Sequence, residues 1–428
     1  MTINLKKEIA LVVDCGLYIS FAVRLAKDFK KVYYFSPWNS GGFAIKERSQ
    51  PGEGYKEIER INWMFKYSDS SEEYSFDRVG IFIFPYIYFS DLQDHLRRLG
   101  KRVWGTGYGD EIELNRWKAK AILRENNLAV AGSIKVKGVE KLREHLKAHR
   151  NKFIKISHWR GLVDTFHHDT YKLSEPIIDH IENELGSYKT EMEFIVDDPI
   201  ECEVESGIDT YIIDGQIPDK VMIGVEVKDS AFVGKVFEYE SLPNILKLTT
   251  TRLSKYFKKN MFRSFFSDEQ RITKNKVTFP IDFTPRIPLP PGELYDIMIE
   301  NIAEIIWFGA EGILIQPKWK YKWGAVVIIK SEWAEKHDQA IYFPEEIKEY
   351  VKLRNSSIIK GTYYVITQEA ELSEIGGVIG VGNTQKEAIE MAKKNSELVK
   401  GYGLTLKCDA LDQSSEELIK VEKLGIKF

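Results

Sequence analysis

Between residues 9 and 104 the chain alternates short strand-like runs with longer amphipathic ones, and this alternation constrains the fold more than any other feature. Residues 9–13, 32–35, 79–84 and 101–104 have the length and the β-branched or aromatic content of buried strands. Residues 17–29 and 91–99 repeat their apolar positions at helical spacing. Strands separated by helices pair in parallel with the helices packed over the sheet, so a small doubly wound α/β domain is expected here. The turn after the first strand, Asp14-Cys15-Gly16-Leu17, has one glycine where a dinucleotide-binding turn has three, which argues against an NAD site. Residues 36–76 are polar and aromatic and read as loops with one short strand. Such loops often carry ligands, although surface decoration or disorder suits the composition as well.

A chain of 428 residues exceeds one ordinary core, and two to four domains are expected. Its 43% hydrophobic and 29% charged residues are those of a globular protein. A net charge of -3 gives no electrostatic reason for non-specific binding to nucleic acid or an anionic membrane, though a local basic groove stays open. Cys15, Cys202 and Cys408 lie far apart without a metal-binding spacing, so neither a disulfide framework nor a zinc site is indicated and a reducing cytosol is the expected home. The opening MTINLKKEIALVVDCG is broken by Asp14 and lacks a small-residue cleavage site, so it is not read as a signal peptide. No run approaches the ~20 apolar residues of a membrane helix.

Chemistry-bearing residues gather from residue 111 onward. The arms SFFSDEQRI and VTFPIDFTPRIPLPPG place Glu269 and Asp282 on successive β-runs, with Arg286 just downstream. Two carboxylates on neighbouring strands beside a guanidinium suit divalent ions that bridge the phosphates of ATP, and a solvated hairpin with ordinary surface charges fits the same pattern. A helix from residue 111, ELNRWKAKAILRENN, carries Lys118 and Lys120, and a strand over 152–156 carries Lys155. Two lysines could converge on one polyphosphate as mobile point charges, but among 61 basic residues they decide little alone.

Strands are expected over 189–196, 201–206, 210–213 and 222–227. In the second of these Glu201, Glu203 and Glu205 alternate, which puts three carboxylates on one face. Such a face is favourable when it is wet, binds cations or bonds ribose hydroxyls. His158, His167 and His168 read as surface-loop histidines, and Trp319, Tyr321 and Trp323 as core or interdomain contacts.

The order of these parts resembles the ATP-grasp fold and, within it, the phosphoribosylamine–glycine ligase branch. The resemblance implies α/β and α+β multidomain architecture: an N-terminal doubly wound domain (1–112), a lid subdomain (113–190), an ATP-grasp core (191–320) and a small C-terminal α/β domain (321–428). It extends to the strand 322–329 and is closest locally in the glycine-rich strand 375–384 that leads into the helix 385–399. By position it implies that Lys120 and Lys155 bind phosphates and that Val196, Asp197, Asp198 and Ile200 form the adenine hinge. Glu203 or Glu205 would contact ribose, and Glu269, Asp282 and Thr284 would hold metal. Lys228 and Arg286 would act in catalysis. Arg160 on the lid would add a second clamp, although an ordinary surface arginine is the favoured reading. Three departures stand out. Gly16-Leu17-Tyr18-Ile19-Ser20 replaces the run that helps hold phosphoribosylamine, the lid loop keeps only Gly161, and Thr284 stands where an asparagine is usual.

The implied activity is ATP-dependent ligation of a carboxylate, such as an amino acid, to an amine through an acyl phosphate, releasing ADP and phosphate. ATP and Mg²⁺, or Mn²⁺ in its place, are the implied cofactors. The partners are the carboxylate donor and the amine acceptor, with no membrane or nucleic acid expected, in a cytoplasmic monomer or homodimer. A catalytically weak ATP-binding or scaffold protein is the alternative, and phosphoribosylamine–glycine ligase itself ranks below both.

Overall fold

The computed structural model describes residues 3–36, 50–157, 165–367 and 373–428. His158, Arg160 and Gly161 lie outside the described residues, as does most of the first half of the 36–76 loop region.

The N-terminal alternation folds as expected. Five strands, β1 (Ile9–Val13), β2 (Lys31–Phe35), β3 (Glu59–Ile61), β4 (Ile81–Ile83) and β5 (Val103–Trp104), form a parallel sheet in the order β3-β2-β1-β4-β5. Helices α1 (Ile19–Leu25) and α2 (Ser90–Arg98) make the crossovers. Alternate β1 side chains enter different cores. Ala10 and Val12 pack with α1, whereas Leu11 and Val13 pack with Phe82, Phe84 and Leu96 of α2, which is why the strand reads as continuously apolar.

After α3 (Glu111–Leu114) and α4 (Arg116–Glu125), a second unit forms. Strands β6 (Ser133–Lys137), β7 (Lys152–Ile156), β8 (Thr165–His168) and β9 (Glu193–Asp197) make a four-stranded antiparallel sheet in the order β6-β9-β7-β8. Helices α5 (Val139–Ala148) and α6 (Tyr171–Leu185) cover it through Leu142, Leu146, Ile178 and Ile181. Because β9 pairs inside this sheet, the lid-like unit runs to Asp197 and does not close at residue 190. His168 belongs to its core and not to a surface loop: the ring is fully buried, with Nδ1 2.8 Å from Ser174 Oγ and Nε2 2.9 Å from the His149 carbonyl. With both ring nitrogens engaged, it is a structural histidine.

The third unit is a ten-stranded sheet. It contains β10 (Val204–Ser206), β11 (Asp209–Ile213), β12 (Lys220–Val227), β13 (Ala231–Glu238), β14 (Arg263–Ile272), β15 (Thr278–Thr284) and β16 (Trp323–Lys330). After a short β17 (Gln339–Ile341) come β18 (Val351–Leu353), β19 (Ser356–Ile359), β20 (Thr362–Val365), β21 (Glu374–Gly382) and β22 (Thr405–Leu406). Of these, β18, β21 and β22 continue the large sheet past residue 320, and β17-β20-β19 form a small one.

Helix α7 (Asn244–Lys259) covers one end of the large sheet, and α8 (Tyr295–Met298) and α9 (Ile302–Gly309) join it to the N-terminal sheet. The last two helices are α10 (Gln385–Leu398) and α11 (Ala410–Glu422). A Thr384/Glu387 capping box starts α10, which lies so close to β21 that a Cβ on Gly380 would stand 2.1 Å from the Ala388 carbonyl. Only glycine allows that approach.

Trp104, fully buried, fastens the N-terminal sheet to the large one by packing edge-on against Phe265 of β14. Just beyond it, Gly105 exchanges two backbone hydrogen bonds, of 2.8 and 3.1 Å, with Arg263 at the start of β14. Among the described residues no helix is long and apolar enough to cross a membrane.

Candidate active site

The register of β14 against β15 places Glu269 directly opposite Asp282 and Ser267 opposite Thr284, with a bulge beside Glu269. On the other flank of β14, Glu205 of β10 is the register partner of Arg271. Ser267, Glu269 and Arg271 are alternate residues of one strand and share a face, while Asp268 and Gln270 point into the core. That face and the neighbouring β12 wall line a cleft of about 730 Å³ that Glu205, Glu269, Asp282, Thr284 and Lys228 all border.

The cleft is electrostatically crowded. Burial, then the Glu205 carboxyl and the charge of Asp282, push Glu269 up to about 9. Burial also opposes ionisation of Glu205, but hydrogen bonding from Glu269 and the charges of Arg271 and Lys228 hold it below the ordinary carboxylate value. The two acids thus oppose each other's ionisation, and Glu269 is the one held high. Burial raises Asp209, on the same cleft, to about 7. Glu269, Asp282 and the Thr284 hydroxyl are hard oxygen donors. Mg²⁺ is ordinarily held by one or two carboxylates, its remaining positions going to phosphate and water, so this donor set fits the ion. No group of three or more His, Cys, Asp or Glu side chains is close enough to hold a metal without such help among the described residues.

On the lid-like sheet, Lys120 of α4 and Lys155 of β7 converge on Asp197 at the end of β9. The Lys120 ammonium is 3.0 Å from Asp197 Oδ1, and Lys155 is 3.8 Å from Oδ2. Burial lowers the Lys120 pKa and Lys155 adds to that, while Asp197 opposes both. The two lysines, 35 residues apart, therefore meet at one carboxylate.

Asp197 is accordingly an ion-pair partner. Val196, its neighbour, is buried in the lid core, so neither side chain is turned toward a base. In the crossing from β9 to β10 the Asp198 amide donates to the Gly132 carbonyl at 2.8 Å. Residues 201–203 are exposed coil, and the strand begins only at Val204. The expected face of three carboxylates does not form, because the chain crosses here from one sheet to another. Only Glu205 lies on the strand, and it turns to Glu269, leaving Glu203 on the crossing.

Arg286 sits apart from the cleft. Its guanidinium is 3.1 Å from Glu113 Oε1 and 3.4 Å from the Tyr18 hydroxyl, and it lies over the Tyr86 ring. Burial opposes its charge, but Glu113 and Tyr18 raise its pKa well above the ordinary value. No local pattern points to Glu113, 173 residues away. Arg271, by contrast, was findable, two residues beyond Glu269 on the same strand face. It donates to Glu205 at 3.0 Å and lies 5.8 Å over Phe153 of β7, touching both sheets. The Gly16 turn is closed: its carbonyl accepts from the Asn355 amide at 2.7 Å, and a Cβ there would meet Asn355 Oδ1 at 2.2 Å.

No family model and no curated sequence matches the chain. Solved structures do. Phosphoribosylamine–glycine ligase from Thermotoga maritima superposes with a TM-score of 0.67 at 13% identity, over 94% of this chain and 99% of that one. The biotin carboxylase domain of 2-oxoglutarate carboxylase from Hydrogenobacter thermophilus, a complex with MgADP, ADP and bicarbonate, gives 0.66 at 12% identity, over 97% and 95%. N5-carboxyaminoimidazole ribonucleotide synthetase from Thermotoga maritima gives 0.59 at 15% identity, over 92% and 99%. At such identities the likeness speaks to architecture, and on that level it is plain: this chain has the ATP-grasp fold.

Proposed function

We propose that the protein is an ATP-dependent carboxylate–amine ligase that works through an acyl phosphate. The observation that carries the reading is the cross-strand pairing of Glu269 with Asp282 on a ligand-sized cleft that Lys228 also borders. The meeting of Lys120 and Lys155 on the opposite sheet supports it.

In this reading an oxygen of the donor carboxylate attacks the γ-phosphorus of ATP, ADP departs, and the amine then displaces phosphate from the acyl carbon. The protein's part is charge neutralisation and alignment. Lys120 and Lys155 neutralise phosphate oxygens, and the Asp198 carbonyl with the Ile200 amide meets the base edge. Glu203, on the exposed crossing, is the ribose candidate. Glu269, Asp282 and Thr284 would hold Mg²⁺ or Mn²⁺, which when bound screens the phosphate charge. Lys228, which borders the cleft, would neutralise the transferring group. Arg286, tied to Glu113, acts as a positioning residue between the N-terminal unit and β15, and the clamp proposed for Arg160 rests on sequence alone.

A weak ATP-binding or scaffold protein is favoured by one observation, the buried Arg286–Glu113 pair, which occupies a guanidinium that a ligase could use on its substrate. Product analysis with ATP and Mg²⁺ across amino acids as donors, with and without amines including phosphoribosylamine, separates the two. ADP and phosphate released with one donor–acceptor pair, and lost in Asp282→Ala, is the ligase result. ATP binding without turnover on any pair supports the scaffold reading, and absence of ATP binding overturns both.

A further inference from the structure

Strand register sets the floor of the acidic cleft. Asp209 of β11 stands opposite Ser267 of β14 and, on its other side, opposite Met222 of β12. Facing residues of antiparallel strands share a face, so Asp209 and the alternate β12 residues Met222, Gly224 and Glu226 lie on the face that carries Glu269. Gly224 pairs with Gly234 of β13, and Glu226 with Phe232. The two glycines leave room for the Phe232 ring to lie across them: a Cβ would stand 2.3 Å from its Cζ at Gly224 and 2.8 Å from its Cε1 at Gly234. The floor is thus an aromatic ring between two carboxylates, and Asp209, Phe232 and Glu226 all border the cleft.

The charges on this floor do not balance. Seven acidic and two basic residues border the cleft, and both bases serve its metal end: Arg271 donates to Glu205, and the charge of Lys228 acts on the same carboxylate. Asp209 is only 6% exposed, with the Ser267 hydroxyl as its one donor and no cation acting on it among the described residues. A carboxylate accepts at both oxygens and is costly to bury without a counter-charge, so this side chain is left incomplete. Glu226 is exposed in the cleft, and the cation that acts on it, Arg354, is already held by Glu293 and Glu374. The acids beyond it are provided for, since Asp229 and Glu374 both reach Lys330. Mg²⁺ at Glu269 and Asp282 would leave Asp209 and Glu226 as uncompensated negative charge.

We propose, on the ligase reading, that the amine substrate of this cleft is an aliphatic oligoamine, held by one ammonium on Asp209 and a second on Glu226, with the methylenes between them on the face of Phe232. Glu226 lies four residues along β12 from the partner of Asp209, ~13 Å of strand, a span that two linked ammonium groups cover and a single one does not. An aromatic face attracts ammonium groups and covers methylenes alike. A monoamine satisfies one carboxylate only, and an α-amino acid brings its own carboxylate onto an acidic floor.

The test is calorimetric titration of the whole chain with spermidine in millimolar Mg²⁺, with butylamine as the single-charge control and MgADP titrated into the same samples. One spermidine per chain is expected, bound at least about tenfold more tightly than butylamine, which corresponds to ~1.4 kcal/mol. Asp209→Asn and Glu226→Gln should each weaken it by a similar factor, whereas Glu240→Gln, which removes an exposed acid outside the cleft, should leave it unchanged. MgADP bound without spermidine overturns this proposal alone; spermidine bound without MgADP supports the cation site and overturns the ligase reading. Spermidine matched by butylamine, or weakened as much by Glu240→Gln as by Asp209→Asn, shows general attraction to an acidic surface and overturns the proposal, as does a ligation product whose amine carries no second positive charge.

Discussion

Lys120 and Asp197, 77 residues apart in the chain, meet at 3.0 Å with little of either side chain exposed, and Lys155 closes on the same carboxylate from β7. A carboxylate held between two lysines is an internal counter-anion at the place where the proposed function puts phosphate. Removing it leaves two like charges facing each other in a poorly solvated site.

Asp197→Asn is therefore expected to destabilise the lid-like unit by roughly 3 kcal/mol, the low end of what breaking a buried ion pair costs. ATP or inorganic triphosphate should recover most of that loss, because either restores the missing negative charge. Chemical denaturation followed with and without triphosphate checks both halves. An Asp197→Asn protein as stable as the parent, or one that triphosphate does not rescue, contradicts the assignment.

Arg286 and Glu113 give a second case of a buried pair, with the Glu113 side chain 1% exposed. Glu113→Ala should cost about 3–5 kcal/mol, because the guanidinium cannot discharge and stays buried beside Tyr18 and Tyr86. The double change Glu113→Leu with Arg286→Met should recover most of the stability. If it also retains ATP turnover, Arg286 is structural; if stability returns without turnover, the positioning role stands.

How much of this was legible beforehand follows from the range of each interaction. The N-terminal strands were readable because parallel strands buried on both faces are written as local runs, and the hairpin with Glu269 and Asp282 because its two arms are adjacent in sequence. The Glu201–Glu205 alternation misled because the regular ladder with β14 begins only at Val204: the Glu203 amide already donates to the Ile272 carbonyl at 2.9 Å, but residues 201–203 stay exposed coil. The end expected for the lid at residue 190 failed because which sheet β9 joins is a tertiary fact. Glu113 was invisible as the partner of Arg286, since no local pattern connects positions so far apart.

Trp104 tests the docking of the N-terminal sheet. Fully buried against Phe265 and in contact with Tyr211, it sits where the backbone of Gly105 steadies β14. Trp104→Ala should cost about 3–5 kcal/mol, the usual loss for a buried aromatic. It should also raise hydrogen exchange along β14 as far as the Glu269 amide. Exchange confined to the N-terminal sheet would show that the two sheets are only loosely coupled.

Glu269 makes the sharpest prediction, because its environment fixes a sign. With its folded pKa raised from the ordinary 4.5 to about 9, the native state holds a proton that the unfolded chain has released. The stability that this proton represents is fully present below about pH 4.5 and is lost as pH rises through 9, so the metal-free protein should weaken steadily across that window. Glu269→Gln keeps the neutral form at every pH. It should flatten the slope and make the metal-free protein more stable than the parent at pH 8, while abolishing the gain in nucleotide affinity that Mg²⁺ or Mn²⁺ confers. Denaturation at pH 5 and pH 8, with and without Mg²⁺ and ADP, measures all three. A parent protein that becomes more stable from pH 5 to pH 8 without metal, with Glu269→Gln following the same course, would show that the Glu205–Glu269–Asp282 group is not the crowded acidic site that its geometry describes.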